Sequence, residues 1–286
     1  MYKTIFSACA TTLIALAATT TLGAENVTKN LDLSSFKGIE ASTSCEIRLE
    51  ESTGYKAELS CSEEFQDYIE VYVKNNVLII DMNTKSLPAE LKKIWKAKDL
   101  REPQFIVTVG VPSIDQLELS GDAHIVSKMA SLKSDNFTIN LSGRAKASGL
   151  TIEGKKINIK VGGNSTADMK ANCEKVSVNT SGSGVAEIRT SCSSANVNSS
   201  KSSNLTFIGD ARTITVEATG GCMLNLLELT AGESDLKLEN GSTCVIPGTG
   251  KITLEMKGSQ LNFKGEPLFG IKKLTNSSVE PYVEAK

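Results

Sequence analysis

Histidine is almost absent from this sequence, since His124 is the only one among 286 residues. The seven cysteines form no Cys-x-x-Cys pair, so the ligand pattern of a structural zinc site is missing. Aromatic residues make up 5% of the chain, which weakens the case for sugar-stacking platforms. Basic and acidic residues nearly balance, at 31 and 33, so charge gives no argument for nucleic-acid binding. We therefore expect no metal, no cofactor and no nucleic-acid partner.

A single long apolar run lies at the N-terminus, from Ile5 to Ala18. Lys3 precedes it, and small residues ending at Ala24 follow it. This order is typical of a secretory signal peptide. The run is also shorter than the ~20 residues that a membrane-spanning helix needs. We predict that residues 1–24 are removed and that the mature protein is exported without a transmembrane segment.

A short motif, Leu119-Ser-Gly in its first copy, returns eight times at spacings of 18 to 22 residues. Three positions before its central residue stands an apolar residue in every copy: Leu117, Ile139, Ile159, Val178, Val197, Val216, Leu236 and Leu254. Five positions after it stand Ile125, Ala147, Ala167, Ala186, Leu205, Leu224, Cys244 and Asn262. Such columns predict two walls of one core. Gly or Asn240 occupies the corner between them, except at Lys201, where we expect an irregular corner.

Units of ~19 residues are long enough for three short strands and three turns, so each unit can close one coil. The sequence therefore predicts an all-β chain with a right-handed parallel β-helix of about eight coils over residues 105–264. An antiparallel β-sandwich also has short strands at regular spacing, but it does not explain a column that recurs eight times.

The repeat is flanked by two segments that lack it. Residues 25–104 are predicted to form β-hairpins followed by a short helix, in which Leu91, Ile94 and Trp95 have helical spacing. We expect the helix to cover the open end of the β-helix; a basic binding face formed by its lysines is the alternative. Residues 265–286 are predicted to leave the repeat and to form a C-terminal cap.

The mature chain keeps six cysteines, an even number that favours disulfides in an oxidising compartment. They are Cys45, Cys61, Cys173, Cys192, Cys222 and Cys244. The first two are predicted to oppose each other across a hairpin. The middle two have the same offset in consecutive coils, and a gap of ~4.8 Å suits a disulfide. The last two pair only if one turn differs in length, and the alternative for them is two buried thiols.

The best candidate for catalysis is a group of four residues at matching offsets in the first two coils: Asp122, His124, Arg144 and Lys146. In a β-helix they lie on one exposed corner, where a polysaccharide lyase or hydrolase would need acid and base groups. They contain no pair of acids, and the same offsets become uncharged in the later coils. We therefore expect a solvated charged corner and no enzyme.

The segments Phe36-Lys-Gly-Ile-Glu-Ala41 and Val107 to Ala123, with the later Ser-Gly repeats, resemble the secreted bacterial family of auto-transporter adhesin head (GIN-type) domains, whose function is largely unknown. The resemblance implies a right-handed β-helix in a Gram-negative envelope: in the periplasm, on the outer-membrane surface or outside the cell. We expect adhesion or ligand binding, with a glycan or another surface protein as partner. A structural or assembly role is a further alternative. The family offers no catalytic residues.

Overall fold

The computed structural model describes residues 26–97 and 104–283. The predicted signal peptide lies outside these ranges. From the N-terminus the strands are β1 (Asn26–Asp32), β2 (Gly38–Ala41), β3 (Glu46–Glu51), β4 (Lys56–Ser62), β5 (Ile69–Lys74), β6 (Val77–Met82) and β7 (Phe105–Val111). A 3₁₀ turn (Glu63–Phe65) follows β4, and helix α1 (Ala89–Ala97) follows β6. Within these ranges no helix has the length and apolar character needed to cross a membrane.

The remaining strands form the repeated part of the chain. They are β8 (Gln116–Leu119), β9 (His124–Ser127), β10 (Leu132–Lys133), β11 (Asn136–Leu141), β12 (Lys146–Val161), β13 (Thr166–Thr180), β14 (Val185–Ser200), β15 (Asn204–Thr219), β16 (Met223–Asn225), β17 (Leu229–Glu239), β18 (Thr243–Gly248), β19 (Lys251–Lys257), β20 (Gln260–Gly265), β21 (Leu268–Thr275) and β22 (Ser278–Pro281). These strands pair in parallel, coil on coil, so the chain is a β-solenoid of about nine turns.

The predicted column from Leu117 to Leu254 is confirmed, because each member is the register partner of the next and all eight are buried. The column also extends beyond the repeat. Leu78 and Ile39 precede Leu117, and Ile271 follows Leu254. We call the strands that carry this column the first sheet. The extra members extend the stack beyond the predicted repeat at both ends.

The second column is confirmed from Ile125 to Cys244 and is wrong at its last member. Leu261, and not Asn262, is the register partner of Cys244, and Leu261 is fully buried. The cause is a turn that is one residue shorter than its neighbours, which moves Asn262 to the outer side. We call the strands that carry this column the second sheet.

The corner at Lys201 is regular, which corrects the expectation of an irregular one. Lys201 has a φ of +62°, within the range of the corner glycines, such as Gly121 (+62°) and Gly182 (+70°). Neighbouring corners are joined by backbone hydrogen bonds, for example from the Ser202 N–H to the Gly182 carbonyl at 2.9 Å. The coil below therefore holds Lys201 in the left-handed region, at a local cost of ~1 kcal/mol.

The N-terminal strands are built into the solenoid. β2 lies between β6 and β8, and β3 lies between β7 and β9, all in parallel. β7 also separates β3 from β4, with Phe105 as the register partner of Cys61. We had expected Cys45 and Cys61 to oppose each other directly across a hairpin. That expectation is wrong, because β7 lies between β3 and β4. A strand as apolar as β7 is favoured in the middle of a sheet, where both of its faces are covered.

Antiparallel strands and α1 close the N-terminal end of the solenoid. β5 pairs antiparallel with β6, and β1 pairs antiparallel with β4. On α1, Leu91 and Trp95 pack against the core, and the Trp95 ring meets Phe65 edge-on, with centroids 5.3 Å apart. The predicted hairpin region and helix are thus both present.

Residues after Lys264 add a further turn instead of leaving the repeat. β21 pairs in parallel with β19, and β22 pairs in parallel with β20. Leu268, Ile271 and Leu274 on β21 are 75%, 58% and 41% exposed. This end of the solenoid is therefore open within the part of the chain that the structure describes.

Candidate functional site

The charged corner on the first coils holds an ion pair. Arg144 binds Asp122 through two hydrogen bonds, from Nε to Oδ1 at 2.5 Å and from Nη2 to Oδ2 at 2.7 Å. The hydrogen bond and the charge of Asp122 both raise the pKa of Arg144. Each group therefore satisfies the other, and Asp122 has little freedom to serve as a proton donor or nucleophile.

His124 lies beside this pair, between the register partners Glu46 and Lys146. Its Nε2 is 3.3 Å from the Ser148 hydroxyl oxygen. Burial lowers the pKa of His124, Glu46 opposes that effect, and Lys146 adds to it. The imidazole is thus neutral near pH 7. The corner brings the four predicted residues onto neighbouring coils, and its two carboxylates, Asp122 and Glu46, are bound by Arg144 and Arg48, so neither is free to complete an acid–base pair.

A row of short polar side chains runs along the outer side of the first sheet. These residues are register partners in consecutive coils, and we call them the polar ladder: Thr138, Asn158, Ser177, Asn196 and Thr215. They point outward because they alternate with buried residues, as Ser177 does between Val176 and Val178. In the sequence this alternation predicts the core from its buried half, and the outward half of the same pattern carries no signal that marks it as a site.

The side chains of the polar ladder form no hydrogen bonds with other described residues. Each hydroxyl or amide can both donate and accept, and consecutive members are one coil, ~4.8 Å, apart. In the adjacent outward column, Asn198 donates to Asn179 Oδ1 at 3.2 Å, so those amides are partly committed to each other. The polar ladder is therefore a flat row of unused donors and acceptors on a rigid support.

An apolar cleft of about 310 Å³ lies on the outer side of the second sheet. Met223, Leu227, Val245 and Tyr282 line it, together with polar residues that include Asn204. Met223 is 56% exposed, which is unusual for a large apolar side chain in the middle of a strand ladder. No motif in the sequence marks this cleft, because its residues come from separate coils.

Two pairs of cysteines lie close together in the solenoid. Cys173 and Cys192 are half-buried register partners on adjacent coils. Burial, followed by the neighbouring Cys192, raises the pKa of Cys173 to about 12. Cys222 and Cys244 are buried, and burial raises the pKa of both thiols. All four side chains are therefore protonated at neutral pH. The residues that the structure describes contain no cluster of His, Cys, Asp and Glu suited to a metal ion.

Residues 35–191 and 169–267 match the family described as "Putative auto-transporter adhesin, head GIN domain". The chain belongs to this family. The match spans most of the solenoid, from β2 to β20. No curated protein matches the chain. The GIN family name describes an adhesin head and does not describe an enzyme.

Several solved structures from Parabacteroides species have a similar fold. A "putative adhesin" from Parabacteroides distasonis is similar at 14% identity and a TM-score of 0.64, with 91% of this chain and 98% of that chain covered. A "putative adhesin" from Parabacteroides merdae is similar at 16% identity and a TM-score of 0.57, with the same coverage. A "Putative lipid binding protein" from P. distasonis is similar at 15% identity and a TM-score of 0.58, again with 91% and 98% covered. These likenesses show that the chain shares its fold with these proteins over 91% of its length.

Proposed function

We propose that this GIN-domain protein is an exported, non-enzymatic binding module of the cell envelope, and that its polar ladder holds a hydroxyl-rich glycan. The observation that supports this is the row of five adjacent side chains whose hydrogen-bonding groups are unused. The family description and the names of two structural neighbours, each called a "putative adhesin", agree with such a role. The closed ion pair at Asp122 and Arg144 favours binding over catalysis.

The expected affinity is weak for a single chain. Each neutral hydrogen bond contributes about 1 kcal/mol, so five bonds contribute about 5 kcal/mol before the cost of association. Without the association cost this would be a dissociation constant of about 0.2 mM, so a single chain should bind in the millimolar range or more weakly. A glycan with many repeats gains from several molecules bound side by side, which is how adhesion strengthens weak contacts.

A glycan array compares the mature protein with the triple variant Asn158→Ala, Ser177→Ala, Asn196→Ala. We expect retention of polysaccharide to fall at least about tenfold, with no loss of stability, because these side chains make no internal hydrogen bonds. The matched control, Thr166→Ala, Asn204→Ala, Thr243→Ala, changes the outer side of the second sheet and should bind like the wild type. Equal losses of polysaccharide binding in both variants would refute the polar ladder as the glycan-binding site. Cleavage of polysaccharide that disappears in Lys146→Ala would refute the non-enzymatic role.

A lipid acyl chain is the second candidate ligand, and the cleft around Met223 favours it. One structural neighbour is named as a lipid-binding protein. Displacement of a fluorescent fatty acid measures this directly. We expect Met223→Asp to abolish it if the cleft is the site, while the polar-ladder variant leaves it unchanged.

Export is tested by location and by thiol chemistry. Protease added to intact and to lysed cells separates the surface from the periplasm, and digestion only after lysis would rule against surface adhesion. In an oxidising compartment we expect Cys173 and Cys192 to form a disulfide, since they are register partners. Peptide mapping without reductant should show a linked Cys173–Cys192 pair, and free thiols in protein recovered from the envelope would contradict it.

A further inference from the structure

We infer that two copies of this protein join end to end through the open turn formed by β21 and β22. The first observation is the exposure of residues that continue the core. Ile271 is the register partner of Leu254, in a column that is fully buried in the turns before it. Ile271 itself is 58% exposed, and Leu268 and Leu274 on the same strand are also exposed. An apolar surface of this kind marks an interface.

The second observation is that both sheets end there on open strand edges. β21 pairs with β19 and β22 pairs with β20, and no other described strand pairs with either of them. A strand edge needs hydrogen-bond partners, which a lipid surface does not supply. The occupant that satisfies both the apolar side chains and the edges is therefore a polypeptide with strands of its own.

The opposite end of the solenoid argues for a second copy in a closed arrangement. There β1 and β5 run antiparallel to their neighbours, and α1 packs Trp95 against Phe65. Exposed Lys29, Asn30 and Asp32 make β1 a polar outer strand. Head-to-tail stacking of many copies is thus disfavoured, whereas contact of two identical open ends gives a two-fold symmetric dimer.

A two-fold axis through the middle of the corner, between Asn276 and Ser277, places β21 of one copy antiparallel to β22 of the other, and the reverse pair forms by symmetry. Counted from this corner, Lys273 then lies opposite Glu280 of the second copy, twice per dimer. Neither Lys273 nor Glu280 forms a salt bridge within its own chain in the described part. Pro281 lacks an N–H, so strand pairing ends near it and apolar side chains provide most of the contact.

The size of this end suits a weak, concentration-dependent dimer. Its terminal strands, β21 and β22, run from Leu268 to Pro281 and offer fourteen residues, below the roughly 20–30 residues on each side of a standard interface. Its apolar centre on β21 and its charged residues further out match the usual anatomy of an interface.

Sedimentation equilibrium of the mature protein tests the inference. We expect a dimer at ~100 µM and dissociation on dilution. Ile271→Asp with Leu274→Asp should weaken association at least about tenfold without changing the circular dichroism spectrum. The matched control, Tyr72→Asp with Ile94→Asp, introduces the same charges at equally exposed sites of the closed end and should remain dimeric.

A charge exchange tests the two-fold arrangement. Lys273→Glu and Glu280→Lys should each weaken the dimer, and the double variant should restore it. A monomeric wild type, an assembly larger than a dimer, or a dimer that only the closed-end variant disrupts would overturn the inference. The inference would also be overturned if the protein were a monomer that sediments with phosphatidylethanolamine–phosphatidylglycerol vesicles and the Ile271→Asp variant did not sediment with them. A membrane would then be the occupant of the open end.

Discussion

The two ends of the solenoid differ in how far their last strands and core residues are covered. At the N-terminal end, β5 runs antiparallel to β6 and β4 runs antiparallel to β7, with β1 paired outside β4, and α1 covers the core with Trp95. At the C-terminal end the parallel winding reaches β21 and β22 with Ile271 still in the core column and exposed. This difference shows that parallel stacking alone always leaves a last strand with core residues exposed. Such a stack is closed either by antiparallel strands from the same chain or by another molecule.

The largest difference is expected between two residues of the Leu117 column, one in the middle of the solenoid and one at its open end. Ile159→Ala removes fully buried methyl groups and should lower the free energy of unfolding by about 3 kcal/mol. Ile271→Ala should cost less than about 1 kcal/mol in dilute protein, because that side chain is exposed. Urea denaturation measures both. Equal costs would mean that the C-terminal turn is buried in solution.

Closure of the N-terminal end is tested at Trp95. Trp95→Ala should cost about 2 kcal/mol, less than for a fully buried aromatic residue, because this ring is only partly buried. Hydrogen exchange should speed up at the end of β4 and in the 3₁₀ turn that carries Phe65, which Trp95 contacts, and stay unchanged in β21. Ile94→Ala, on the exposed side of the same helix, is the control and should have little effect. Uniform exchange changes along the solenoid would contradict a local cap.

Substitutions at the corners are expected to change stability less, and they again compare the middle of the solenoid with its open end. Lys201→Gly should stabilise the protein by up to about 0.5 kcal/mol, because glycine relieves the left-handed strain by slightly more than it adds entropy to the unfolded chain. Asn276→Gly should change little, since asparagine already tolerates a φ of +47°. Lys237→Gly within β17 serves as the control and should destabilise. Destabilisation by Lys201→Gly would show that this side chain makes a compensating contact.

The smallest effect is a pH response confined to one end, where the only histidine lies. Burial sets the pKa of His124 below its ordinary value, so the folded protein binds fewer protons than the unfolded chain. The stabilisation from neutral His124 is present above its unfolded pKa of about 6.5 and is lost as pH falls through the folded pKa. Between about pH 7.5 and about pH 5.5 the urea midpoint should fall more in the wild type than in His124→Gln. Identical shifts would contradict a linked histidine.

Particular residues show how far the sequence predicts this fold. The Leu117 column could be predicted because each coil buries an apolar residue at a fixed distance from its corner. Lys201 could not, because the hydrogen bonds from neighbouring corners, and not its own preference, fix its backbone. The separation of Cys45 from Cys61 by β7 depends on a strand more than forty residues later in the chain. Local hairpin signals carry no information about such an insertion.

The candidate site was harder to predict than the fold. Asp122, His124, Arg144 and Lys146 attract attention because charged residues are chemically conspicuous, yet the structure commits Asp122 and Arg144 to each other. The members of the polar ladder are ordinary residues such as Ser177 and Asn196. Their significance arises from stacking and from the lack of internal partners, which only three-dimensional register reveals.

The placement of β2 between β6 and β8 has a consequence for how the molecule is made. Synthesis delivers the N-terminus first, yet Ile39 finds its two neighbours in the column only when Leu78 and Leu117 have both emerged. Winding therefore cannot begin with the earliest residues and advance one coil at a time. The strands before β8 therefore stay incompletely paired until β8 and β9 have formed. Each later coil then pairs with strands that are already in place.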